Sequence, residues 1–215
     1  MTSEKFTEID PHLEKIARWK RMHERVEQVK DKLGKGVDEG IKETVVAFLA
    51  NEFPVCQSCE GHLEERSGKM RKIAPYIDVE TDEPKERFVG ESEIRKNIAK
   101  QSDDVDKAYW DYISENHIQE TLEYQKARIE NEALKKNAEE LISEFYSQYS
   151  QKEPPMLRIN SIGPSGRFRI EGAQGFVREV PLKEVDTYSH SLSREQADMA
   201  ALTNFLKKKF FEGLS

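Results

Sequence analysis

The sequence predicts an α+β protein in which a small antiparallel sheet, built from two hairpins, packs against helices. Two observations predict this class. Apolar residues recur at intervals of three or four residues in four segments, 11–33, 38–53, 105–149 and 193–213. Two further segments, 54–79 and 156–172, are rich in β-favouring residues around glycine-containing turns. We expect one domain over 1–215, from which a helical arm projects.

Composition restricts the class of function. The net charge of -7 argues against general nucleic-acid binding. Two cysteines in 215 residues are too few for a disulfide framework. The sequence has no apolar window long enough for a membrane span and no apolar signal core at its N-terminus. We therefore expect a cytoplasmic protein that does not enter a membrane.

The first helix is predicted to begin at Asp10-Pro11, because aspartate accepts a hydrogen bond at the N-cap and proline suits the first helical position. Its apolar stripe is narrow and ends before Gly34, which predicts packing against one other helix. The second helix, over 38–53, is more apolar. We expect this second helix to lie against the sheet.

The segment 105–149 contains neither proline nor glycine and predicts a long helix. Unbroken, it would be roughly 65 Å long at 1.5 Å per residue, which exceeds the width of a small domain. We expect it to pair with the helix over 11–33 as a coiled-coil-like arm. The alternative function is that of a non-enzymatic interaction protein. The arm would then bind a partner protein or a second copy of the chain as a homodimer.

The second hairpin is predicted to turn at 163–166, Gly-Pro-Ser-Gly. The resulting register pairs Ile159 with Ile170 and Ser161 with Phe168 on one face, and Asn160 with Arg169 and Arg158 with Glu171 on the other. The last helix is predicted to begin at Ser193, which forms a capping box with Gln196.

The first hairpin concentrates reactive residue types. Cys56, Cys59, Glu60 and His62 lie within seven residues, with Gly61 among them. Thiol, carboxylate and imidazole groups this close serve as ligands, as acid/base groups or as a nucleophile with its base. We predict that the first strand ends at Cys59 and that the following loop carries Glu60, His62 and several basic residues.

The leading interpretation is a polar ligand or catalytic site at the turn from Ser58 to His62. His62 would be the acid/base or hydrogen-bonding group, Cys59 a pocket wall or nucleophile, and Glu60 an orienting or basic carboxylate. Basic residues of both hairpins are candidates to bind a small anionic ligand. They are Arg66, Lys69, Arg71 and Lys72 in the first hairpin, and Arg167, Arg169 and Arg178 in or after the second. The alternative is that these cations form solvated loop and strand faces.

A metal site is not predicted. The pattern Cys56-x-x-Cys59-x-x-His62 supplies three ligands where zinc takes four, and no second pair completes the set. Positions 56 and 59 of an extended strand point to opposite faces, which also disfavours a redox pair. A third interpretation is structural, with Cys59 as a small buried apolar residue and His62 capping the turn. No cofactor follows from these residues.

Residues 57–63, Gln-Ser-Cys-Glu-Gly-His-Leu, with GIKETVVAFLANEFPV before them and APYIDVET after them, resemble a set of uncharacterised bacterial and phage proteins. Those proteins carry a helix, a Ser-Cys-Glu-Gly-His turn and a Pro-Tyr or Pro-Trp strand. The resemblance covers about 40–81, and it implies that Ser58, Cys59, Glu60 and His62 act together. A fainter similarity is to the wybutosine-synthesis methyltransferase family, whose hairpin reads Ser-Ser-Cys-Ser-Gly-Arg. Glu60 and His62 depart from that pattern, which argues against a methyl-donor or tRNA role.

Overall fold

A computed structural model describes residues 10–30, 33–82, 84–149 and 155–212. These residues form helices and antiparallel strands, which confirms the α+β class. The α-helices are α1 (Pro11–Gln28), α2 (Lys42–Ala50), α3 (Glu91–Ile98), α4 (Val105–Glu115), α5 (Leu122–Gln148) and α6 (Val185–Glu212). The strands are β1 (Val55–Cys59), β2 (His62–Arg66), β3 (Lys69–Ile73), β4 (Tyr76–Val79), β5 (Leu157–Ser161), β6 (Phe168–Gly172) and β7 (Val177–Val180). None of these helices combines the length and the apolar character that crossing a bilayer requires.

The two predicted hairpins join into a four-stranded antiparallel sheet of order β1-β4-β6-β5. The register predicted for the second hairpin is confirmed at all four predicted pairs, from Arg158 opposite Glu171 to Ser161 opposite Phe168. The two hairpins meet where β4 pairs with β6, and Ile77 lies opposite Ile170 there. Both isoleucines are fully buried in the main core, with residues of α2, α5 and α6. The segment 38–53 thus packs on the sheet as predicted, although α2 starts only at Lys42, after a 3₁₀ turn over Glu39–Ile41.

The predicted helix over 105–149 is interrupted between α4 and α5. His117 adopts a φ of +49°, and a β-bridge joins Phe88 to Glu120. The hydroxyl of Thr121 then accepts a hydrogen bond from the backbone N–H of Tyr124 and caps α5. The interruption allows α3 and α4 to pack together around a small core of their own, which contains Phe88, Tyr109 and Ile113.

The two helices of the predicted arm share α6 as a neighbour. α1 packs against α2 and α6, and α5 also packs against α6. The ring of Trp19 in α1 lies 5.7 Å from the ring of Phe210 and 5.4 Å from that of Phe211, both in α6. Part of each apolar stripe is buried in the main core beside α6, from Trp19 and Val26 of α1 to Ile142 and Phe145 of α5. Other stripe residues are exposed, among them Leu13, Ile16, Leu122 and Ile129.

The last helix begins at Val185, so the predicted start at Ser193 is wrong. Ser193 lies inside α6, where its hydroxyl donates to the carbonyl oxygen of Ser189 at 3.1 Å. The first three turns of α6 are polar in sequence, but they bury Leu192 next to Gly61 and Glu195 next to Lys72. Ser193 and Gln196 are thus residue types that commonly cap a helix, but packing places both of them inside α6.

The predicted loop after Cys59 is itself a β-hairpin. β2 and β3 pair with each other and β3 pairs with β7, which gives a second antiparallel sheet of order β2-β3-β7. β2 continues β1 along the chain, and β4 continues β3. The first hairpin is therefore one long ribbon that bends between its two halves. We call the bend, which comprises 60–61 and 74–75, the corner.

Candidate functional site

The corner requires glycine at position 61. Gly61 has a φ of +81°, and a β-carbon there would lie 2.6 Å from Pro75 N and 2.8 Å from Pro75 Cδ. The amide of Gln196 in α6 donates to the carbonyl oxygens of Glu60, at 3.1 Å, and of Gly61, at 3.0 Å. The two halves of the ribbon are therefore in direct backbone contact at the corner, and Gln196 of α6 is hydrogen-bonded to this bend.

Glu60 joins the corner to the start of α2. Its Oε2 accepts a hydrogen bond from the backbone N–H of Gly40 at 2.8 Å. A β-carbon at Gly40 would lie 2.5 Å from the same oxygen, so this contact also depends on a glycine. Charge-assisted hydrogen bonds of a carboxylate to backbone N–H groups are among the stronger ones. The contact gives Glu60 a structural partner.

Cys59 and His62 are close together, as a local catalytic pair would need. Cys59 Sγ lies 3.7 Å from His62 Nδ1, and it accepts a hydrogen bond from the N–H of Gly61 at 3.4 Å. The side chain of Cys59 is buried, however, and burial raises the pKa of its thiol. Reactive cysteines have lowered thiol pKa values, because the thiolate is the nucleophile. The geometry therefore favours a structural role for Cys59, as a buried side chain packed in the corner.

Cys59 is expected to react slowly with alkylating reagents. In a Cys56→Ser variant at pH 7.5, iodoacetamide should modify the folded protein at least about tenfold more slowly than the urea-unfolded protein, because burial both hides the sulfur and raises its pKa. Mass spectrometry of quenched samples measures both rates. Equal rates in the two states would instead support an activated nucleophile.

Ser58 and Cys59 occupy different faces of the first sheet. Ser58 lies opposite Ile77, a core residue, so its side chain is on the face that carries the helices. Cys59 lies opposite Tyr76 on the other face. The structure thus brings Cys59 and His62 together, and it separates Ser58 from them.

Arg167 and Arg169 bind the buried carboxylate of Asp78. Arg169 makes two hydrogen bonds to it, Nε to Oδ1 at 2.5 Å and Nη2 to Oδ2 at 2.8 Å, and Arg167 Nη2 also contacts Oδ2. The guanidinium carbon of Arg169 lies 4.0 Å from the Tyr76 ring and 3.9 Å from the Phe176 ring. These two predicted anion-binding residues therefore already have anionic partners within the chain.

Lys72 is buried between the second sheet and α6. Its Nζ lies 2.7 Å from Oε2 of Glu195, and it donates to Ser191 Oγ at 3.2 Å and Gln174 Oε1 at 3.4 Å. Burial raises the pKa of Glu195, although the charge of Lys72 opposes this. Arg178 projects to the same side, with its guanidinium carbon 5.5 Å from the Tyr188 ring. Both cations therefore face the interior side of the second sheet.

The other face of the second sheet is open. The register places six polar side chains on this face, which we call the outer face: His62, Glu64, Arg66, Lys69, Arg71 and Glu179. Glu64 Oε1 lies 3.5 Å from Arg71 Nη1, and Glu64 Oε2 lies 3.7 Å from His62 Nε2. Lys69 pairs with Glu179 at 3.0 Å. Among the residues that the structure describes, Arg66 has no ion-pair partner.

Four cationic residues named from the sequence thus have internal contacts, and three lie on one open surface. A shallow depression of about 480 Å³ is lined by Arg66, Ser67, Lys69, Arg71, Val177 and Glu179. The sequence did not indicate that buried carboxylates bind three of the other cations: Asp78 binds Arg167 and Arg169, and Glu195 binds Lys72. For Asp78 a signal existed, since Tyr-Ile-Asp-Val alternates and places Asp78 on the polar face of β4.

Within the described ranges, no three His, Cys, Asp or Glu side chains are grouped closely enough to hold a metal ion. Both cysteines are free thiols, and Cys56 donates to the carbonyl oxygen of Asp78 at 3.5 Å. No family model, curated protein or solved structure matches this chain. The resemblance over 40–81 therefore stays a prediction.

Proposed function

We propose that the protein binds an anionic ligand on the outer face of β2 and β3, next to the turn from Ser58 to His62. The observation that carries this proposal is the position of Arg66. It lies directly opposite Lys69 on the neighbouring strand, at the end of the hairpin, and it lacks an ion-pair partner among the described residues. Like charges opposite each other in a sheet are destabilising, and an anion between them removes that cost.

The charge balance of the outer face supports the same conclusion. Three cations, Arg66, Lys69 and Arg71, share the face with two carboxylates, Glu64 and Glu179. The chain as a whole carries a net charge of -7, so this face is a local exception. A local positive surface attracts anions even when the net charge is negative. Arginine also presents a planar pair of donors that suits carboxylate and phosphate groups.

Binding agrees better than catalysis with the contacts of the corner. The thiol of Cys59 is buried with a raised pKa, and Oε2 of Glu60 is bonded to Gly40. His62 differs, because its side chain is 47% exposed and reaches the outer face. We therefore propose that His62 contacts the ligand, and that Cys59 and Glu60 stabilise the corner that positions His62.

Inorganic pyrophosphate is a suitable first probe. We expect calorimetric titration at low ionic strength to detect binding, and the double variant Arg66→Ala/Arg71→Ala to weaken it at least about tenfold, since each lost charge contact removes about 1 kcal/mol or more. Added salt should weaken binding as well. The matched control is Lys20→Ala/Lys126→Ala, which removes two exposed cations from α1 and α5. Equal affinity for both double variants would refute the assigned site.

A further inference from the structure

The second sheet has an exposed edge next to the outer face. β2 is the first strand in the order β2-β3-β7, so no described strand pairs with its other side. An edge strand presents backbone N–H and C=O groups that can pair with an added strand. β2 contains no proline or glycine, and three of its five residues, His62, Glu64 and Arg66, project from the outer face. The edge therefore combines free pairing capacity with a charge pattern.

We infer that the anionic ligand is an acidic polypeptide segment that adds to β2 as an antiparallel strand. This inference rests on the proposed function and narrows its ligand class. In strand addition the backbone ladder supplies affinity, and alternate side chains supply specificity. Here the side chains of the added strand would lie beside the outer face at every second position.

The charges of β2 select a sequence pattern. Residues of the added strand opposite His62 and Arg66 are four positions apart, with the residue opposite Glu64 midway between them. Opposite charges attract and like charges repel across strands. The fitting peptide therefore carries an acid opposite Arg66. A second acid opposite His62 can accept a hydrogen bond from the imidazole. The residue between them, opposite Glu64, is uncharged or basic.

The shape of the surface favours a peptide over a small anion. Small-ligand sites are concave, with polar groups that converge on one point. The cations here are spread along two strands of an open sheet, and the depression beside them is shallow. The opposite edge is less suited, because Glu179 of β7 already pairs with Lys69, and Pro181 follows that strand at once. An extended chain along β2 pairs with the free edge and lies beside Arg66, while Lys69 and Arg71 lie one strand further in.

The test uses the full chain and a labelled nine-residue peptide, with glutamate at positions three and seven and threonine or valine elsewhere. Two further peptides carry N-methyl groups on alternate backbone nitrogens, in the two possible phases. Strand addition uses only every second N–H of the peptide. We expect fluorescence anisotropy to show that one phase of methylation weakens binding at least about tenfold and that the other leaves it unchanged. Equal binding of all three peptides would overturn strand addition.

Charge reversal tests the register. Arg66→Glu should weaken binding of the acidic peptide at least about tenfold and should favour a peptide with lysine at the same two positions. Lys126→Glu, on the exposed side of α5, should change neither. If the acidic peptide fails to bind while pyrophosphate binds in an Arg66-dependent way, the peptide inference is wrong and the anion site stands. If neither probe binds, the proposed function is also refuted.

Discussion

Replacing Gly61 with alanine is expected to lower the free energy of unfolding by about 2–5 kcal/mol. The left-handed φ of +81° costs a non-glycine residue about 1–2 kcal/mol. The added methyl would also overlap Pro75, whose backbone nitrogen lies 2.6 Å from the ideal β-carbon position. Overpacking of this kind costs about 1–3 kcal/mol when the neighbour is backbone that cannot move aside. Urea unfolding at equilibrium measures the loss.

Gly68→Ala is the matched control. Gly68 lies in the turn between β2 and β3 with a φ of +74°, and no atom lies within 4 Å of its ideal β-carbon position. It should therefore show only the conformational cost, about 1–2 kcal/mol. Equal losses for the two variants would mean that the close contact between Gly61 and Pro75 relaxes freely and that the corner is not a rigid element.

Lys72→Met is expected to destabilise the protein by about 3–5 kcal/mol, because it leaves the carboxylate of Glu195 buried without its counter-ion. Neither oxygen of Glu195 receives a hydrogen bond of ordinary geometry from a described residue. Besides Lys72, only the nearby backbone N–H of Gln174 is a described group that favours its charged form by hydrogen bonding. The backbone of Gly172 packs closely against the Glu195 carboxyl group, since a β-carbon at Gly172 would lie 2.4 Å from its carboxyl carbon. Equilibrium unfolding in urea provides the measurement.

The deficit of the Lys72→Met variant should depend on pH. Burial raises the pKa of Glu195, so the folded state binds more protons than the unfolded state, and stability falls as the pH rises between the two pKa values. Removing Lys72 raises the folded pKa further and extends that range upward. The deficit relative to the native protein should therefore be smaller at pH 5 than at pH 8.

Two further variants separate the ion pair from simple loss of a side chain. Lys72→Met/Glu195→Leu removes both charges, and it should recover most of the stability lost in Lys72→Met. Lys69→Met removes an exposed pair on the same strand and should change stability by less than about 1 kcal/mol. A deficit that is equal at pH 5 and pH 8, and that the double variant does not recover, would contradict an electrostatic origin.

The parts of the fold that sequence could predict are those that local chemistry determines. The register of β5 and β6 follows from the loop at 163–166, and the start of α1 follows from Asp10, whose carboxylate accepts from His12 N at 2.9 Å. The sequence predicts one sheet from the two hairpins but not which strands join them, because the register of β4 and β6 depends on residues about 90 positions apart. The pairing of β3 with β7 was not foreseen for the same reason.

The candidate site shows the same division. The sequence indicated a turn from Ser58 to His62 and the nearness of Cys59 to His62, but not the hairpin that follows. The hydrogen bond between Glu60 and Gly40 and the one between Gly61 and Gln196 could not be predicted, because each joins segments that are distant in the sequence. Lys72 and Arg71 are adjacent cations in the sequence, yet one is buried and the other is on the outer face. Strand alternation separates them, and only the position of α6 decides which side is interior.

The order β1-β4-β6-β5 has a consequence for how the chain reaches its folded state. Each hairpin closes a short loop, so each can form early and independently of the rest. Their junction between Val79 and Phe168 closes a loop of about 90 residues, at an entropic cost of roughly 4 kcal/mol. Burial of apolar side chains from both hairpins in one core with the helices offsets this cost. We therefore expect the junction of β4 and β6 to form later than either hairpin, together with the core beneath it.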